Sequence, residues 1–289
     1  MPAPDTRSRS ARAVSLRPCQ NPAQNPTSAG GFILRVRPAG DPAWITDLAP
    51  GRFFMLRRED GASPAIPRPF SLYRVADGCL EFMIQTLGPG TVALATCEPG
   101  TPLRLTGPSG RGWPEFSRGP EPWVFLAGGI GSAPFLMALE SALPGHASAS
   151  PRAPGPWLLY GAASAERLYE LPAFMATGAP VLCATDDGSH GFRGNVLELL
   201  ASEQEAGRIP RRLRLAACGP EPMLRAAAAL AAREELPCWL SLETYMGCGV
   251  GICNGCAVPT EPSGSLGAWP SAKCCVDGPV FEAASVVLG

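Results

Sequence analysis

The chain has 289 residues, a length typical of about two domains, and its 46% of hydrophobic residues can form substantial buried cores. A formal net charge of −1 and a pI near 6.2 argue against a protein that binds nucleic acid. No apolar run reaches the roughly 18 residues of a membrane span, so we expect no membrane partner.

Residues 1–28 are rich in Pro, Ser, Ala and Arg and lack the apolar core of a secretory signal. This composition predicts a disordered N-terminal tail on a cytoplasmic protein. In that compartment thiols stay reduced, so we expect the 11 cysteines to bind metal or to lie in cores. Of the 24 basic residues only Lys273 is a lysine, a compositional bias to which we attach no function.

Residues 29–117 are predicted to form short strands separated by Gly/Pro turns. The clearest strands are Phe32–Arg37, Arg52–Leu56 and Cys79–Gln85. Regular spacing of this kind is typical of a small antiparallel β-barrel. Two loops in it are candidates for binding, Arg68–Tyr73 and Gly88–Thr91, the second because a helix start after it would point N–H groups at a phosphate. Taken alone, each pattern is weak, because an Arg-Pro turn is usually an ordinary turn and Gly-x-Gly-Thr is more often a loop than a phosphate-binding site.

Residues 118–238 alternate apolar strands with helical segments, which predicts an open parallel sheet covered by helices. The expected strands are 123–127, 157–160, 181–185, 213–217 and 238–242, and the expected helices are 135–143, from about 165, 196–206 and 221–235. A glycine turn, Gly128–Gly131, joins the first strand to the first helix. Strand, glycine turn and helix form the phosphate-binding unit of nucleotide folds, although the residues do not spell G-x-G-x-x-G.

A cysteine-rich loop follows this region. Cys248, Cys253 and Cys256 have the spacing C-x4-C-x2-C of plant-type [2Fe–2S] ferredoxins, and the pair Cys274-Cys275 lies 18 residues further on. Glycines between the cysteines permit positive φ, so N–H groups can turn toward the sulfurs. Spacing alone does not decide which of the adjacent pair is the fourth ligand. A four-cysteine zinc site is the alternative, but it usually has two C-x2-C knuckles. An odd number of cysteines and the missing signal peptide disfavour disulfides.

These motifs together resemble a known family, the iron–sulfur flavoprotein electron-transfer subunits of NAD-dependent dihydroorotate dehydrogenase, within the ferredoxin-reductase superfamily. The resemblance covers residue 31 to the C-terminus and is most specific at the cysteines. The segments that carry it are Arg68–Ser71, Leu126–Gly131, Thr185–Gly188, Ala217–Pro220, Cys248–Cys256 and Cys275–Phe281. It implies a multidomain β plus α/β protein: an FAD-binding antiparallel β-barrel (29–117), a Rossmann-like parallel α/β nicotinamide domain (118–238) and a small C-terminal [2Fe–2S] module (239–289).

The resemblance also implies roles for individual residues. Cys275, which directly precedes the segment x-Asp-Gly-Pro, would be the fourth cluster ligand beside Cys248, Cys253 and Cys256, and Cys274 would be a bystander. The FAD-binding residues would be Arg68 at the pyrophosphate, Ser71 near the reactive flavin edge, and Pro69, Phe70, Met83, Ile84, Gln85, Gly90 and Thr91. The residues at the nicotinamide nucleotide would be Gly128, Gly129, Ile130, Gly131, Asp186, Cys218 and Gly219. Ser71 and Cys218 would act at the reacting rings, although Cys218 equally fits a small buried hydrophobic residue.

The activity implied is electron transfer between a partner's FMN, where dihydroorotate is oxidised to orotate, and NAD+, through the cluster and FAD. The chain would then have diaphorase activity alone and would oxidise dihydroorotate only with its FMN-containing catalytic subunit, in an assembly of two plus two chains. One alternative is the corresponding subunit of a bifurcating ferredoxin–NADP reductase or of a cytoplasmic hydrogenase. Another is a zinc-binding interaction module, which would be colourless.

Overall fold

The computed structural model describes residues 7–22, 30–62, 64–116, 120–143 and 156–289. Two seven-stranded sheets and a two-stranded hairpin form its framework. Among the described helices, none is long and apolar enough to cross a lipid bilayer.

The first sheet is entirely antiparallel and curls into a half-barrel. Its strands lie in the order β4-β3-β7-β1-β2-β6-β5, and β4 also contacts β6. The bounds are β1 Arg7–Pro18, β2 Gly31–Pro38, β3 Phe53–Arg58, β4 Arg68–Ser71, β5 Arg74–Ala76, β6 Cys79–Gln85 and β7 Pro102–Ser109, with helix α1 at Pro89–Ala95 and a 3-10 turn at Pro42–Ile45. The sheet encloses an apolar core that includes Leu34, Phe54 and Phe82.

The N-terminal segment corrects one prediction, because residues 7–18 are not a disordered tail. They form β1, which lies inside the half-barrel sheet between β2 and β7 and pairs with both. Only Ala11 and Ala13 of this strand are fully buried, and Leu16 packs partly buried on the same core, so the strand has few of the large apolar side chains that mark a strand in a sequence. Its stability comes from hydrogen bonds on both sides. Residues 1–6 and 23–28 of the predicted tail lie outside the described residues.

The second sheet carries the α/β unit, with strands in the order β11-β10-β9-β8-β12-β13-β16. The strands are β8 Trp123–Gly128, β9 Trp157–Ala162, β10 Val181–Thr185, β11 Phe192–Arg193, β12 Arg214–Cys218, β13 Cys238–Ser241 and β16 Val280–Glu282. The helices are α2 Leu136–Ala142, α3 Leu171–Met175, α4 Val196–Glu205 and α5 Glu221–Glu234, with 3-10 turns at Gly129–Phe135 and Ala165–Arg167. Six strands are parallel, and all but the two-residue edge strand β11 are mostly apolar, as expected for a sheet that helices cover.

The seventh strand makes this sheet mixed, whereas the sequence predicted a parallel one. β16 comes from the C-terminal segment and pairs antiparallel with β13. The boundary predicted between residues 238 and 239 therefore falls inside β13. The C-terminal segment also contains the hairpin β14 Ala257–Pro259 and β15 Ser271–Lys273, and a 3-10 turn at Ala283–Ser285.

Candidate functional site

The Cys248–Cys256 loop wraps its own backbone around a sulfur. Cys248 Sγ accepts N–H groups from Val250, Ile252 and Cys253 at 3.4, 3.4 and 3.5 Å. Gly249 and Gly251 allow this path because both have positive φ, 68° and 85°. Burial alone would raise the pKa of the Cys248 thiol, but these N–H groups outweigh it and lower the pKa to about 6. The loop is therefore built to hold a thiolate.

The four predicted cluster cysteines come together as two pairs. Cys256 Sγ lies 3.2 Å from Cys275 Sγ in a buried position, and Cys248 Sγ accepts the N–H of Cys253 at 3.5 Å. Among the described residues, no three His, Cys, Asp or Glu side chains converge on one point as ligands of a single ion. Two pairs of thiols fit a core of two irons, each with two terminal sulfur ligands, better than they fit one tetrahedral zinc.

The adjacent cysteines 274 and 275 point in different directions. Cys274 Sγ is directed at the carbonyl oxygen of Leu242, 3.6 Å away, and is fully buried. Burial raises the pKa of the Cys274 thiol to about 12. Burial, followed by the Cys256 thiol, also raises the pKa of Cys275 to about 12, in the absence of any metal charge. The geometry thus favours Cys275 as the ligand that faces Cys256.

The cysteine loop rests directly on the half-barrel. A Cβ atom on Gly249 would lie 2.3 Å from Cγ of Met55 on β3, so only glycine permits this approach. Met55 is paired with Pro69 of β4. On the other side of the module, the Arg111 N–H donates to the Gly278 carbonyl. Sequence reasoning missed Met55, because only the contact between distant segments reveals its position.

The predicted FAD residues lie on two neighbouring strands and at the start of α1. Arg68, Pro69, Phe70 and Ser71 form β4 and are all half-buried, while Met83, Ile84 and Gln85 end β6. The Arg68 side chain crosses the first turn of α1, where a Cβ on Gly90 would be 3.1 Å from Arg68 Cγ. A guanidinium beside the N–H groups of a helix start is a chemically suitable place for a diphosphate.

Thr91 has a structural task within this group. Its hydroxyl accepts N–H groups from Leu87 and Gly88 at 2.8 and 3.0 Å and donates to the Gly88 carbonyl. The side chain therefore shapes the loop before α1, and its hydroxyl is engaged within the protein.

The predicted nicotinamide residues surround the carboxyl ends of β8 and β12. Cβ atoms built on Gly131 and Gly219 would lie 2.6 Å from the Cys218 oxygen and 2.9 Å from Gly128 Cα, respectively. The two turns therefore pack backbone against backbone, and of the four residues Gly128–Gly131 only Gly129 has a positive φ, 54°. Ile130 is half-buried and packs against the core. This cleft at the strand ends is where doubly wound sheets bind ligands.

Cys218 is the last residue of β12, beside Ala127 and Ser241 of the flanking strands. Burial raises the pKa of its thiol to about 12, against the opposing effect of a hydrogen bond with Ser241. Its side chain is accordingly a neutral thiol. That state suits contact with an uncharged ring edge and excludes a role as a thiolate nucleophile at neutral pH.

Asp186 follows β10 and is exposed, and its N–H donates to the Ala162 carbonyl at 3.1 Å. The more organised carboxylate is its neighbour Asp187, which accepts the N–H and hydroxyl of Ser189 at 2.9 and 2.6 Å. The Ser189 hydroxyl in turn accepts the Ala165 N–H at 2.8 Å. The side chain of Asp187 thus ties the loop after β10 to the loop after β9 through Ser189, whereas Asp186 contributes its backbone N–H.

Comparisons with protein families and with relatives found matches to the cysteine-rich segment and to most of the chain. Residues 243–287 match the model of a family described as the iron–sulfur cluster binding domain of dihydroorotate dehydrogenase B. The "dihydroorotate dehydrogenase B (NAD(+)), electron transfer subunit" of Desulforamulus reducens is 31% identical over 82% of this chain and 86% of its own length. The protein of the same name from Geobacillus kaustophilus is 35% identical over 83% and 87%.

Solved structures share the fold at lower identity. An NADH-dependent reduced ferredoxin–NADP oxidoreductase covers 96% of this chain and 89% of its own, with a TM-score of 0.74 and 22% identity. A ferredoxin NADP+ reductase from Neisseria gonorrhoeae, solved with FAD and NADP, covers 78% and 91%, with a TM-score of 0.59 and 17% identity. At these identities the likeness shows a ferredoxin-reductase-like fold.

Proposed function

The chain belongs to the family of dihydroorotate dehydrogenase B electron-transfer subunits, and on that premise we propose that it carries electrons between a catalytic partner and NAD+. It is an NAD(H)-linked oxidoreductase subunit that uses FAD and an iron–sulfur cluster. Dihydroorotate is oxidised at the FMN of the partner, and the electrons reach NAD+ through this chain.

The contact between the cysteine loop and the half-barrel carries this proposal. Gly249 packs on Met55, and Met55 is paired with Pro69 in the strand that holds Arg68 and Ser71. A cluster on the loop and a flavin along that strand are therefore neighbours, as electron transfer between them requires.

Within this arrangement we assign the following tasks to the chain's own residues. Bound FAD supplies two-electron exchange with a nicotinamide and one-electron exchange with a [2Fe–2S] cluster. Arg68 neutralises the FAD diphosphate at the start of α1, and Ser71 donates a hydrogen bond at the flavin edge. Gly128, Gly131 and Gly219 let the two turns at the nucleotide site pack backbone against backbone, and the neutral Cys218 thiol packs at the nicotinamide ring. Cys248, Cys253, Cys256 and Cys275 hold the cluster as thiolates.

The partner docks, in our proposal, on the exposed face of the cysteine module. Tyr245, Ile252 and Trp269 are large apolar side chains that are 95%, 79% and 76% exposed, and Val250 and Val276 are partly exposed beside the cluster cysteines. Aromatic and aliphatic side chains of this kind form the buried centres of protein interfaces. We infer an FMN-containing catalytic subunit as the occupant, in an assembly of two plus two chains.

We also propose three functional units: the half-barrel for FAD, the α/β unit for NAD(H), and the segment after β13 for the cluster. Because β1 belongs to the half-barrel sheet, the FAD unit begins earlier than residue 29.

An absorption spectrum with iron and flavin analysis of anaerobically purified protein tests the function. We expect flavin bands with [2Fe–2S] bands, two irons and one FAD per chain, and NADH-dependent dye reduction by the chain alone. Dihydroorotate-dependent NAD+ reduction should appear only when the FMN subunit is added. A colourless protein that contains only zinc would overturn the proposal.

A further inference from the structure

Lys273 fixes the turn that presents Cys275. It is the only lysine of the chain and ends β15, two residues before Cys275. Its N–H donates to Asp277 Oδ2 at 2.8 Å, and its carbonyl oxygen accepts the N–H groups of Val276 and Asp277 at 2.9 and 2.8 Å. The backbone of Lys273 therefore organises one half of the cluster-binding segment.

The side chain of Lys273 reaches the other half. Its Nζ donates to the Gly251 carbonyl oxygen at 2.6 Å, across 22 residues of sequence. Gly251 lies between Cys248 and Cys253, and a Cβ atom on it would lie 2.7 Å from Cγ2 of Val276, the neighbour of Cys275. One ammonium group thus ties the loop with three cysteines to the turn with the fourth.

The same contact has an electrostatic effect on a sulfur. The Gly251 carbonyl belongs to the same peptide group as the Ile252 N–H, which donates to Cys248 Sγ at 3.4 Å. An ammonium at the oxygen end of a peptide group polarises it and strengthens the hydrogen bond at the nitrogen end. The positive charge of Lys273 is therefore passed on toward the Cys248 sulfur through one peptide.

We propose that Lys273 is a positioning residue that joins the two halves of the cluster site and raises the reduction potential of the cluster. The inference rests on the [2Fe–2S] cluster of the proposed function. Reduction adds one negative charge to the cluster, so a nearby cation and stronger N–H···S bonds favour the reduced form. A compact ammonium fits a single carbonyl oxygen, whereas the forked guanidinium of arginine is shaped for two acceptors.

The test compares Lys273→Met, Lys273→Arg and a control, Arg233→Met, which removes an exposed charge on α5 that pairs only locally with Glu234. The measurement is the midpoint potential of the cluster, from a redox titration followed by EPR. We expect Lys273→Met to lower the ratio of reduced to oxidised cluster at least tenfold at a fixed potential, equivalent to 59 mV. Lys273→Arg should recover at least half of this shift, and Arg233→Met should match the wild type.

A potential unchanged in Lys273→Met, with full iron content, would overturn the inference and leave the proposed function intact. Wild-type protein without a [2Fe–2S] cluster would instead overturn the proposed function.

If Lys273→Met assembles no cluster, the wild-type protein with its cluster bound is acetylated at its single lysine, which removes the charge after assembly. Acetylated Lys273→Arg, modified only at the terminal amine, is the control. A lowered potential in the acetylated wild type alone would support the inference, and equal potentials would refute it.

Discussion

Cys274 and Cys275 are covalent neighbours with opposite surroundings. One thiol is directed at the Leu242 carbonyl and the other lies 3.2 Å from Cys256 Sγ. We predict that Cys275→Ser abolishes the normal cluster, whereas Cys274→Ser leaves it largely intact, because only the first removes a sulfur from the pair. Iron content and the EPR spectrum of the reduced variants measure this. Loss of the signal in Cys274→Ser alone would reverse the assignment.

Arg68 lies across the start of α1. Removing it leaves the FAD diphosphate without its cation, a loss of about 2 kcal/mol or more, which corresponds to roughly thirtyfold weaker binding. Arg68→Ala should therefore purify with little FAD and regain diaphorase activity when FAD is added. Arg37→Ala, on the exposed side of β2, is the matched control. Full flavin occupancy in Arg68→Ala would show that another group holds the diphosphate.

Glu166 and Arg167 follow β9, where a nucleotide fold meets the adenosine ribose. Arg167 is exposed at the end of the 3-10 turn, whereas Glu166 is half-buried within it. A carboxylate favours the free 2′-hydroxyl of NADH. We predict kcat/KM at least tenfold higher for NADH than for NADPH, about 1.4 kcal/mol of transition-state binding, and a smaller ratio in Glu166→Gln. A tenfold preference for NADPH would contradict this and favour a bifurcating-reductase role.

At the scale of strands and helices, the strength of the apolar pattern in each segment decided whether the sequence could predict it. The limits of β6 and β10 match their predicted ranges, because apolar residues fill both strands. β1 has alanines at its buried positions, so nothing in its composition separates it from a tail. β16 has three residues and exists through its pairing with β13. The helix predicted at 135–143 follows a 3-10 turn in which Pro134 supplies no N–H. The helix predicted from about residue 165 is a separate 3-10 turn, and α3 begins only at Leu171.

The same limit applies to the site. Motif order predicted the cysteines and the glycine turns, since their chemistry depends on local spacing. The contacts of Met55 and Lys273 join segments far apart in sequence, and no local pattern encodes them. The one sequence feature that singled out Lys273 is that it is the single lysine among 24 basic residues.

β1 provides a direct test at this scale. Deleting residues 1–18 removes a strand that pairs on both sides, so we expect loss of the cooperative unfolding transition and of bound FAD. Deleting residues 1–6, which removes no residue of β1, should leave both unchanged. Normal thermal unfolding of the longer deletion would mean that residues 1–18 are dispensable after all.

At the scale of the whole molecule, one carboxylate ties the half-barrel to the α/β unit. Glu170 is 2% exposed and accepts both Arg17 nitrogens at 2.8 Å, together with the Gln20 N–H at 2.8 Å. Arg17 lies on β1, and Glu170 directly precedes α3. The two units are thus joined by a bidentate ion pair, the strong form of such contacts, in which the carboxylate is buried and the guanidinium is half-exposed.

We predict that Glu170→Gln lowers the free energy of unfolding by about 1.5–3 kcal/mol, because the hydrogen bonds from Arg17 and Gln20 lose their charged acceptor. Urea unfolding monitored by circular dichroism provides the measurement. Glu221→Gln, which breaks an exposed pair with Arg225 on α5, should cost less than about 0.5 kcal/mol. Equal stabilities of the two variants would show that Glu170 does not stabilise the junction between the half-barrel and the α/β unit.

The pairing of β16 with β13 has a consequence for the protein when no iron is bound. The strand begins five residues after Cys275 and covers the outer side of β13, whose Leu240 is fully buried. If an unligated Cys275 lets this segment loosen, β13 becomes an open edge with unpaired N–H and C=O groups and apolar side chains. Such edges recruit strands from other molecules. Iron starvation would then make the subunit prone to aggregation, because the cluster, through Cys275, keeps β16 paired with β13 and the sheet edge covered.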